Sequence, residues 1–316
     1  MSKGRALREL LQRKKYLLTM GAETPVHARI VAKAGFDYIY LGGYDVSLAL
    51  LGLPDVGFIT ETEMLNNARN VAHCVELPVI VDADTGYGNA INVIRTVEDF
   101  ESAGVAAIHI EDQITPKRCG HVAGKMIVPL EEAVGKLRAA LDARKDRDFV
   151  IIARTDAVAA VGGGMEEAVK RAREFARIGC DMVFCEFPTA EIEYPRRFAQ
   201  EVHQAYPALP LYFNYSSNLK WHELPLTTFE ALGDMGYKAI HVSQACLRPS
   251  MQAVWDFALD LKARGAQAEV DFERKSLGHP LAAHHEFAGI PKFKELEAKY
   301  LPAADVVKRY ESTVGL

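Results

Sequence analysis

Short apolar runs rich in β-branched residues recur along the chain and alternate with segments of helical periodicity. The runs have the length of strands and number eight: residues 16–20, 38–41, 79–82, 107–111, 150–153, 182–186, 211–214 and 239–243. The helical segments between them include residues 61–75, 92–103, 130–143, 166–178 and 227–235. Gly104, Gly179 and Gly236 follow three of these segments at the position that favours a helix C-cap.

This alternation predicts an α/β fold. Near-continuous apolar strands separated by helices are typical of a parallel sheet that is covered on both faces. Eight such units fit a (β/α)8 TIM-type barrel better than an open doubly wound sheet. We predict the barrel over residues 1–265. After the eighth unit, residues 251–264 predict a closing helix and residues 292–300 a further helix, with a polar link between them. Residues 266–316 are therefore expected to be a helical tail and not an independent domain.

Composition and charge narrow the class of protein. The 316 residues are 49% hydrophobic and 25% charged, which is ordinary globular usage. With 37 Lys+Arg against 42 Asp+Glu, the net charge of -5 argues against nucleic acid as a partner. The 5 cysteines lack paired zinc spacing and predict free thiols in a reducing compartment. Without a secretory signal or an apolar run of membrane length, we expect a cytoplasmic protein with no membrane contact.

Polar residues follow the predicted strands, where barrel enzymes gather their active sites. They include Asp82 and Asp84, Glu111 and Asp112, Arg154 to Asp156, Glu186, Asn214 and Ser216, and Ser243. The general polarity of loops explains about half of these positions. Carboxylates after three separate buried strands nevertheless indicate a site for chemistry.

A metal site is predicted from the segment 81–89. Asp82 and Asp84 occupy alternate positions at a strand end, so both side chains are expected to project to one side, and Glu111 ends the next strand. Such oxygen ligands suit Mg2+, with Mn2+ as the second candidate, and one direct carboxylate with others acting through water is sufficient. The competing interpretation is a hydrogen-bonded turn with capping aspartates.

The loop 115–121 places two cations, a thiol and an imidazole close together. Cys119 is flanked by Lys117, Arg118 and His121, which predicts a lowered thiol pKa and a role as nucleophile or proton donor. A basic surface loop with an incidental cysteine is the alternative.

Four segments occur in order, 82–88 (DADTGYG), 109–113 (HIEDQ), 117–121 (KRCGH) and 153–157 (ARTDA), and together they resemble the isocitrate lyase / phosphoenolpyruvate mutase superfamily. The resemblance covers residues 38–243. The KRCGH loop resembles the branch of isocitrate and 2-methylisocitrate lyases. The resemblance implies a barrel whose C-terminal helices are exchanged between subunits of a homo-oligomer, commonly a tetramer.

The resemblance also implies roles for individual residues. Asp84 would bind Mg2+ directly, and Asp55, Asp82 and Glu111 would act through water. Cys119 would be the acid, and Tyr40 is the candidate base. Arg154 and the backbone near Gly43 would hold the 2-oxo acid end of the substrate. The remaining predicted site residues are Lys117, His121 and Glu186 in the catalytic group, and Gly42, Tyr44, Gly120, Asn214, Ser216 and Ser243 at the substrate.

The implied activity is retro-aldol cleavage of a small 2-hydroxy di- or tricarboxylate to pyruvate or glyoxylate plus succinate. An oxaloacetate decarboxylase or a 2,3-dimethylmalate-type lyase is the alternative within the superfamily, and a non-catalytic binding barrel is the alternative of another class. Three positions do not follow the pattern of one branch. Gly42 stands where the lyases have serine, and Phe184 resembles 2-methylisocitrate lyases whereas Ser243 resembles isocitrate lyases.

Overall fold

Eight parallel strands form one sheet, in the order β1-β8-β7-β6-β5-β4-β3-β2, in the computed structural model, which describes residues 1–303 and 305–306. The strands are β1 Leu17–Met20, β2 Ile39–Leu41, β3 Val79–Asp82, β4 Ala107–Glu111, β5 Val150–Thr155, β6 Met182–Cys185, β7 Leu211–Asn214 and β8 Tyr237–Val242. All eight predicted strands are therefore confirmed.

Helices follow the strands and cover the sheet. Those of the first part of the chain are α1 Lys3–Arg13, α2 Pro25–Lys33, α3 Gly43–Leu51, α4 Glu61–Cys74, α5 Ala90–Ser102, α6 Leu130–Ala143, α7 Met165–Arg177, α8 Glu193–Ala205 and α9 Phe229–Asp234. The remaining helices are α10 Leu247–Arg264, α11 Ala266–Ser276, α12 His284–Ala288 and α13 Ile290–Tyr300. Within the described part of the chain, none of these helices has the length and apolar character needed to cross a bilayer.

The sheet is nearly closed. β1 pairs with β8, with Leu17 opposite Ala239. The last gap, between β1 and β2, is joined by a parallel bridge between Gly21 and Tyr40, and the N–H of Ala22 donates to the carbonyl of Tyr40 over 2.9 Å. The predicted TIM-type barrel is confirmed, and the bridge between β1 and β2 lies at the carboxyl end of β1.

Both faces of the strands are buried, which explains why they read as continuous apolar runs. One layer fills the barrel interior and includes Tyr40, Ile80, Ile152, Phe184 and Tyr212. The alternate positions, such as Val79, Val81, Ile151 and Val183, pack in the larger core that also holds the helix side chains. The strand ends are thereby fixed against rigid packing on two sides, which holds the polar residues that follow them in place.

The described chain divides into two compact units, residues 1–250 and the part that begins at Met251. This division falls within α10, and the boundary predicted at residue 265 remains a prediction. The predicted polar link after residue 264 is wrong, because it contains α11 and α12. Apolar spacing in this segment is weak, but Phe272 of α11 contacts Phe257 of α10 with ring centroids 5.1 Å apart. Exchange of these helices between subunits remains a prediction.

A buried ion pair joins the end of β4 to α7. Asp112 accepts hydrogen bonds from the Thr155 hydroxyl (2.7 Å), from the backbone N–H of Asp156 (3.0 Å) and from Arg171 Nη1 (3.1 Å). Arg171 also donates to the carbonyl of Val128 over 2.8 Å. The pair therefore ties β4, β5 and α7 together beneath the polar strand ends.

Replacing Asp112 by alanine is expected to lower the free energy of unfolding by about 2 to 4 kcal/mol, because it removes the buried carboxylate that pairs with Arg171 Nη1 and with the Thr155 hydroxyl. The guanidinium then keeps the partly exposed carboxylate of Glu167, which lies 2.8 Å from its Nε. Urea denaturation of the wild type and the variant measures this loss. Asp99→Ala is the matched control, since its exposed pair with Arg95 (3.2 Å) should contribute less than about 1 kcal/mol. Equal losses in the two variants would contradict the structural role of the Asp112 network.

Candidate active site

Most of the residues predicted for the site line one cavity at the carboxyl ends of the strands. The lining residues are Tyr40, Gly42, Gly43, Tyr44, Asp45, Asp55, Asp82, Cys119, Gly120, His121, Arg154, Glu186, Asn214, His241, Ser243 and Gln244. Asp84, Lys117 and Glu111 lie directly behind this lining, in contact with its members. Ser216 is buried outside the lining, where its hydroxyl accepts from the N–H of Asn218 over 3.3 Å and caps a short turn.

The carboxylates of Asp82 and Asp84 both lie close to Gly43, but the backbone that places them differs from the predicted extended strand. β3 ends at Asp82, and Asp84 has a left-handed backbone with φ of 46°, so the two side chains do not project in parallel from an extended strand. Asp82 Oδ2 instead accepts from the N–H of Gly43 over 3.1 Å, and its Oδ1 accepts from the N–H of Asp84 over 2.9 Å. A Cβ at position 43 would lie only 3.0 Å from Asp82 Oδ2, so the close approach requires glycine.

Lys117 lies among the predicted metal carboxylates. Its Nζ is 2.5 Å from Asp55 Oδ1 and 2.8 Å from Asp84 Oδ1. Burial opposes the charged amine, but the carboxylates of Asp84, Glu111 and Asp55 outweigh it and raise the pKa of Lys117 well above its ordinary value. This lysine therefore holds a positive charge between two acidic side chains.

Arg154 is held in a fork of carboxylates. Its Nε and Nη2 donate to Asp156 over 3.0 and 3.2 Å, and its Nη1 lies 3.2 Å from Glu111 Oε2. The guanidinium carbon lies 5.0 Å from the centre of the Phe184 ring, so one face of the cation packs on an aromatic surface. This arrangement orients a buried cation at the wall of a cavity, where it can bind a substrate carboxylate.

The acidic group behind Gly43 fits a hard divalent cation. It offers carboxylate oxygens from Asp55, Asp82, Asp84 and Glu111, and the ammonium of Lys117 shows that the place between them attracts positive charge. Glu111 Oε1 is buried and has no hydrogen-bond partner among the described residues. In the same described residues, no three His, Cys, Asp or Glu side chains are arranged to hold an ion directly.

Cys119 is a buried thiol and not the activated thiolate predicted from the flanking cations. Burial, reinforced by the negative charge of Asp55, raises its pKa to about 11. The prediction is wrong because the charge of Lys117 is directed to Asp55 and Asp84, and because the chain buries the sulfur. A thiol that keeps its proton at neutral pH suits a proton donor better than a nucleophile.

The alkylation rate of Cys119 by iodoacetamide, measured in EDTA, is expected to keep rising by about tenfold per pH unit up to pH 10, because only the thiolate reacts. Peptide mass spectrometry after timed quenching measures the modified fraction at residue 119. An ordinary thiol would level off near its usual pKa of about 8.5. Such a plateau for Cys119 in the folded protein would contradict its burial as a protonated acid.

Three polar side chains form the wall opposite the acidic group. Asn214 Nδ2 donates to Glu186 Oε2 over 3.1 Å, and His121 Nε2 lies 3.4 Å from Glu186 Oε1. Burial would raise the pKa of Glu186, but its hydrogen bond to His121 lowers it below the ordinary value. Gly120 packs against this wall so closely that a Cβ would lie 2.8 Å from both Arg154 Nη2 and Glu186 Cγ. The loop that carries Cys119 therefore packs directly against Arg154 and Glu186.

Tyr40 lies at the floor of the cavity. Its hydroxyl is 3.0 Å from His109 Nε2, and its ring stacks on His241 with centroids 3.8 Å apart. Burial, together with the charge of Asp82, raises the pKa of Tyr40 well above its ordinary value, so the phenol keeps its proton and is poorly suited to be a base. A Cβ at Gly42 would lie 2.9 Å from Tyr40 Cε1, so a serine at this position would require the Tyr40 ring to shift.

Sequence reasoning missed three residues of the cavity. Asp45, His241 and Gln244 line it, and Asp45 Oδ2 accepts from the N–H of Gln244 over 3.2 Å. Asp45 follows the Gly-Gly pair within the first turn of α3, and His241 occupies an inward position of β8, so strand alternation could have indicated the histidine. Gln244 has a left-handed backbone with φ of 59°, which no sequence pattern signals.

Comparison with known proteins places these features in a family. The family described as Phosphoenolpyruvate phosphomutase matches residues 7–262. The chain is 41% identical to isocitrate lyase of Haloferax volcanii over 99% of this chain and 90% of that protein. It is 36% identical to 2,3-dimethylmalate lyase of Eubacterium barkeri, covering 95% and 99% of the two proteins. It is 38% identical to a probable 2-methylisocitrate lyase of Corynebacterium glutamicum, covering 90% and 89%.

Solved structures show the same relationship. A crystal structure of 2,3-dimethylmalate lyase superposes with a TM-score of 0.85 and 32% identity, covering 100% of this chain and 99% of that one. Phosphonopyruvate hydrolase in complex with oxalate and Mg2+ superposes with a TM-score of 0.81 and 29% identity, covering 96% and 100%. Both similarities extend over the whole barrel and the strand ends that carry the cavity.

Proposed function

The chain belongs to the phosphoenolpyruvate mutase / isocitrate lyase superfamily, and from this premise we propose that it is a carbon–carbon lyase acting on a small 2-hydroxy di- or tricarboxylate. The observation that carries the proposal is the juxtaposition, in one cavity, of the protonated thiol of Cys119 and the guanidinium of Arg154, with the acidic group that contains Asp84 behind its wall. A cleavage that leaves a carbanion needs all three: an acid, a carboxylate-binding cation and a site that stabilises an oxo acid.

The proposed cation is Mg2+, with Mn2+ as an alternative. Asp84 would hold it directly, and Asp55, Asp82 and Glu111 would hold it through water. When bound, the cation supplies a Lewis acid that stabilises negative charge on the oxygens of the oxo acid.

The side chains of the chain itself perform the other steps. Arg154 and the backbone near Gly43 bind and orient the oxo acid end, and His121 and Asn214 bind the far carboxylate. The C2 hydroxyl gives its proton to solvent water as its oxygen becomes a carbonyl, and the electron pair of the broken carbon–carbon bond passes to the leaving carbon. Cys119 protonates that carbon and becomes a thiolate, which recovers a proton from solvent after product leaves. Tyr40 keeps its own proton and does not serve as the base.

Two substrate types are favoured within this class. The identity to an isocitrate lyase over almost the whole chain supports isocitrate, which would yield glyoxylate and succinate. Phe184, which forms part of the barrel floor beneath Arg154, supports 2-methylisocitrate, which would yield pyruvate and succinate. A pocket distinguishes one methyl group by only about 1 to 3 kcal/mol, so both belong in the first assay. The equally extensive match to 2,3-dimethylmalate lyase makes that dicarboxylate a third candidate.

Mass spectrometry of the products from isocitrate, 2-methylisocitrate, 2,3-dimethylmalate and oxaloacetate tests the proposal. A lyase releases a 2-oxo acid from at least one of the first three substrates, in a reaction that EDTA stops and Mg2+ restores. Products from oxaloacetate alone would indicate the decarboxylase or a hydrolase. If the folded protein releases no product from any of the four substrates, a barrel that binds a ligand without this chemistry is favoured.

We further propose that the protein forms a homo-oligomer, with a tetramer as the expected state. Large apolar side chains are exposed on α10 and α11, including Met251, Val254, Trp255 and Phe272. Exposed apolar groups in this number favour burial against another molecule, and a second copy of the chain is the proposed partner. Light scattering should give a mass of four chains, and a mass of one chain at working concentration would refute the proposal.

A further inference from the structure

A buried lysine outside the predicted site reaches back into the loop that carries Cys119. Lys125 is 1% exposed, and its Nζ donates to the carbonyl of Gly120 and lies 3.5 Å from Asp156 Oδ1. Its own carbonyl accepts from the N–H of Val161 over 2.9 Å, so its backbone is anchored to the segment after β5. Burying an ammonium group is costly unless it is paired, and the Gly120 carbonyl and the Asp156 carboxylate that pair with Lys125 both belong to the active-site apparatus.

One peptide unit lies between Lys125 and the thiol. The carbonyl of Gly120, the residue directly after Cys119, accepts from Lys125 Nζ. The N–H of Val122 donates back to the carbonyl of Cys119 over 2.9 Å, so residues 119–122 form a turn. The lysine therefore holds the central peptide of the turn that carries the proposed acid.

The same lysine is tied to the substrate-binding arginine. Asp156 is the carboxylate that accepts both hydrogen bonds from the Arg154 fork, and it also faces Lys125. Gly120 packs directly against Arg154, as its close contact to Nη2 shows. The buried carboxylate of Asp156 therefore pairs directly with Arg154 and, through Lys125, contacts the loop that carries Cys119.

We propose that Lys125 is a positioning residue for the proton-transfer step, holding the Gly120–His121 peptide so that the thiol of Cys119 keeps its place relative to Arg154. The inference rests on the proposed lyase function. Lys125 itself touches neither substrate nor the reacting atoms. A merely structural lysine in this place would affect stability and leave the geometry of the acid unchanged.

Two variants of one position separate these roles. Lys125→Met keeps the length of the side chain and removes the donor, whereas Lys125→Arg keeps a cationic donor. We expect Lys125→Met to lower kcat by about 100-fold with KM changed less than about threefold, since a displacement of about 1 Å at the acid costs this much. Lys125→Arg should recover at least about tenfold of that loss. The matched control is Lys3→Met, because Lys3 Nζ also binds buried carbonyls, those of Ala72 and Val75, on α4 and directly after it. This control should keep the wild-type kcat.

Hydrogen exchange of the backbone amides gives a readout that does not depend on activity. In substrate-free protein, the amide of Val122, which closes the turn by donating to the carbonyl of Cys119, should exchange at least about tenfold faster in Lys125→Met than in the wild type or in Lys3→Met. Unchanged exchange at Val122, or a kcat within threefold of wild type, would overturn the proposal. If the wild type cleaves none of the four carboxylates, the proposed function fails by that result, and the exchange experiment alone decides whether Lys125 holds this peptide.

Discussion

Replacing Cys119 by serine is expected to lower kcat for cleavage by about 1,000-fold while the protein remains folded. The hydroxyl of serine fits the space of the thiol but is a much weaker acid, and a positioned general acid contributes about 100- to 10,000-fold. The thiol, with its pKa raised to about 11, keeps a proton at neutral pH and is still acidic enough to release it to a carbanion. Steady-state kinetics with the best substrate of the product assay measure the loss.

The control for this substitution is Cys246→Ser. Cys246 is also buried, at 7% exposure, but it does not line the cavity. The Cys246→Ser variant should retain activity within about threefold of wild type. This result would show that the Cys119→Ser variant loses activity because it lacks the acid, and not because a buried sulfur was removed. A Cys119→Ser enzyme within tenfold of wild type would contradict the assignment of the acid.

Replacing Asp84 by asparagine is expected to abolish the dependence on Mg2+ and to lower activity by at least about 1,000-fold. Asparagine has nearly the same shape and tolerates the left-handed backbone at this position, so the fold should survive. The substitution removes one negative charge from the group that holds Lys117 and the proposed cation. The loss of the Lewis acid then removes the stabilisation of the oxo acid during cleavage.

Thermal unfolding gives an independent measurement of the same change. Mg2+ that binds the native state alone raises the midpoint of unfolding of the wild type, and this increase should vanish in Asp84→Asn. Asp99→Asn, an exposed acid on α5 outside the cavity, should keep the full increase. An unchanged response to Mg2+ in Asp84→Asn would place the cation elsewhere.

The barrel could be predicted from sequence because its strands are buried on both faces. Positions such as Val79, Ile80 and Val81 are all apolar, since they pack alternately outward and into the barrel, and helices follow at regular intervals. The same regularity located the site, because parallel strands bring their carboxyl ends to one rim. This rule alone predicts that Asp82, Arg154 and Asn214 lie close together, since no pattern in the neighbouring sequence indicates it.

The electrostatics of the site could not be predicted from neighbours in sequence. Lys117 is two residues from Cys119, yet its ammonium group pairs with Asp55, which lies more than 60 residues earlier in the chain. The sulfur is consequently a buried acid and not a stabilised thiolate. The direction in which the Asp84 side chain points depends on a left-handed backbone conformation. The raised pKa of Tyr40 depends on its burial, which includes stacking on His241. Each of these properties arises from packing between distant segments.

The proposed reaction is retro-aldol cleavage, in which the bond between C2 and C3 of a 2-hydroxy acid breaks and the carbanion that results is protonated. The most direct test is to run the reaction in D2O with the preferred substrate and to analyse both products by mass spectrometry. We expect a 2-oxo acid together with succinate, or the corresponding acid from another substrate, that carries one deuterium on the carbon that lost its bond. Release of carbon dioxide without a second organic acid, or of oxalate with acetate from oxaloacetate alone, would contradict the proposed cleavage.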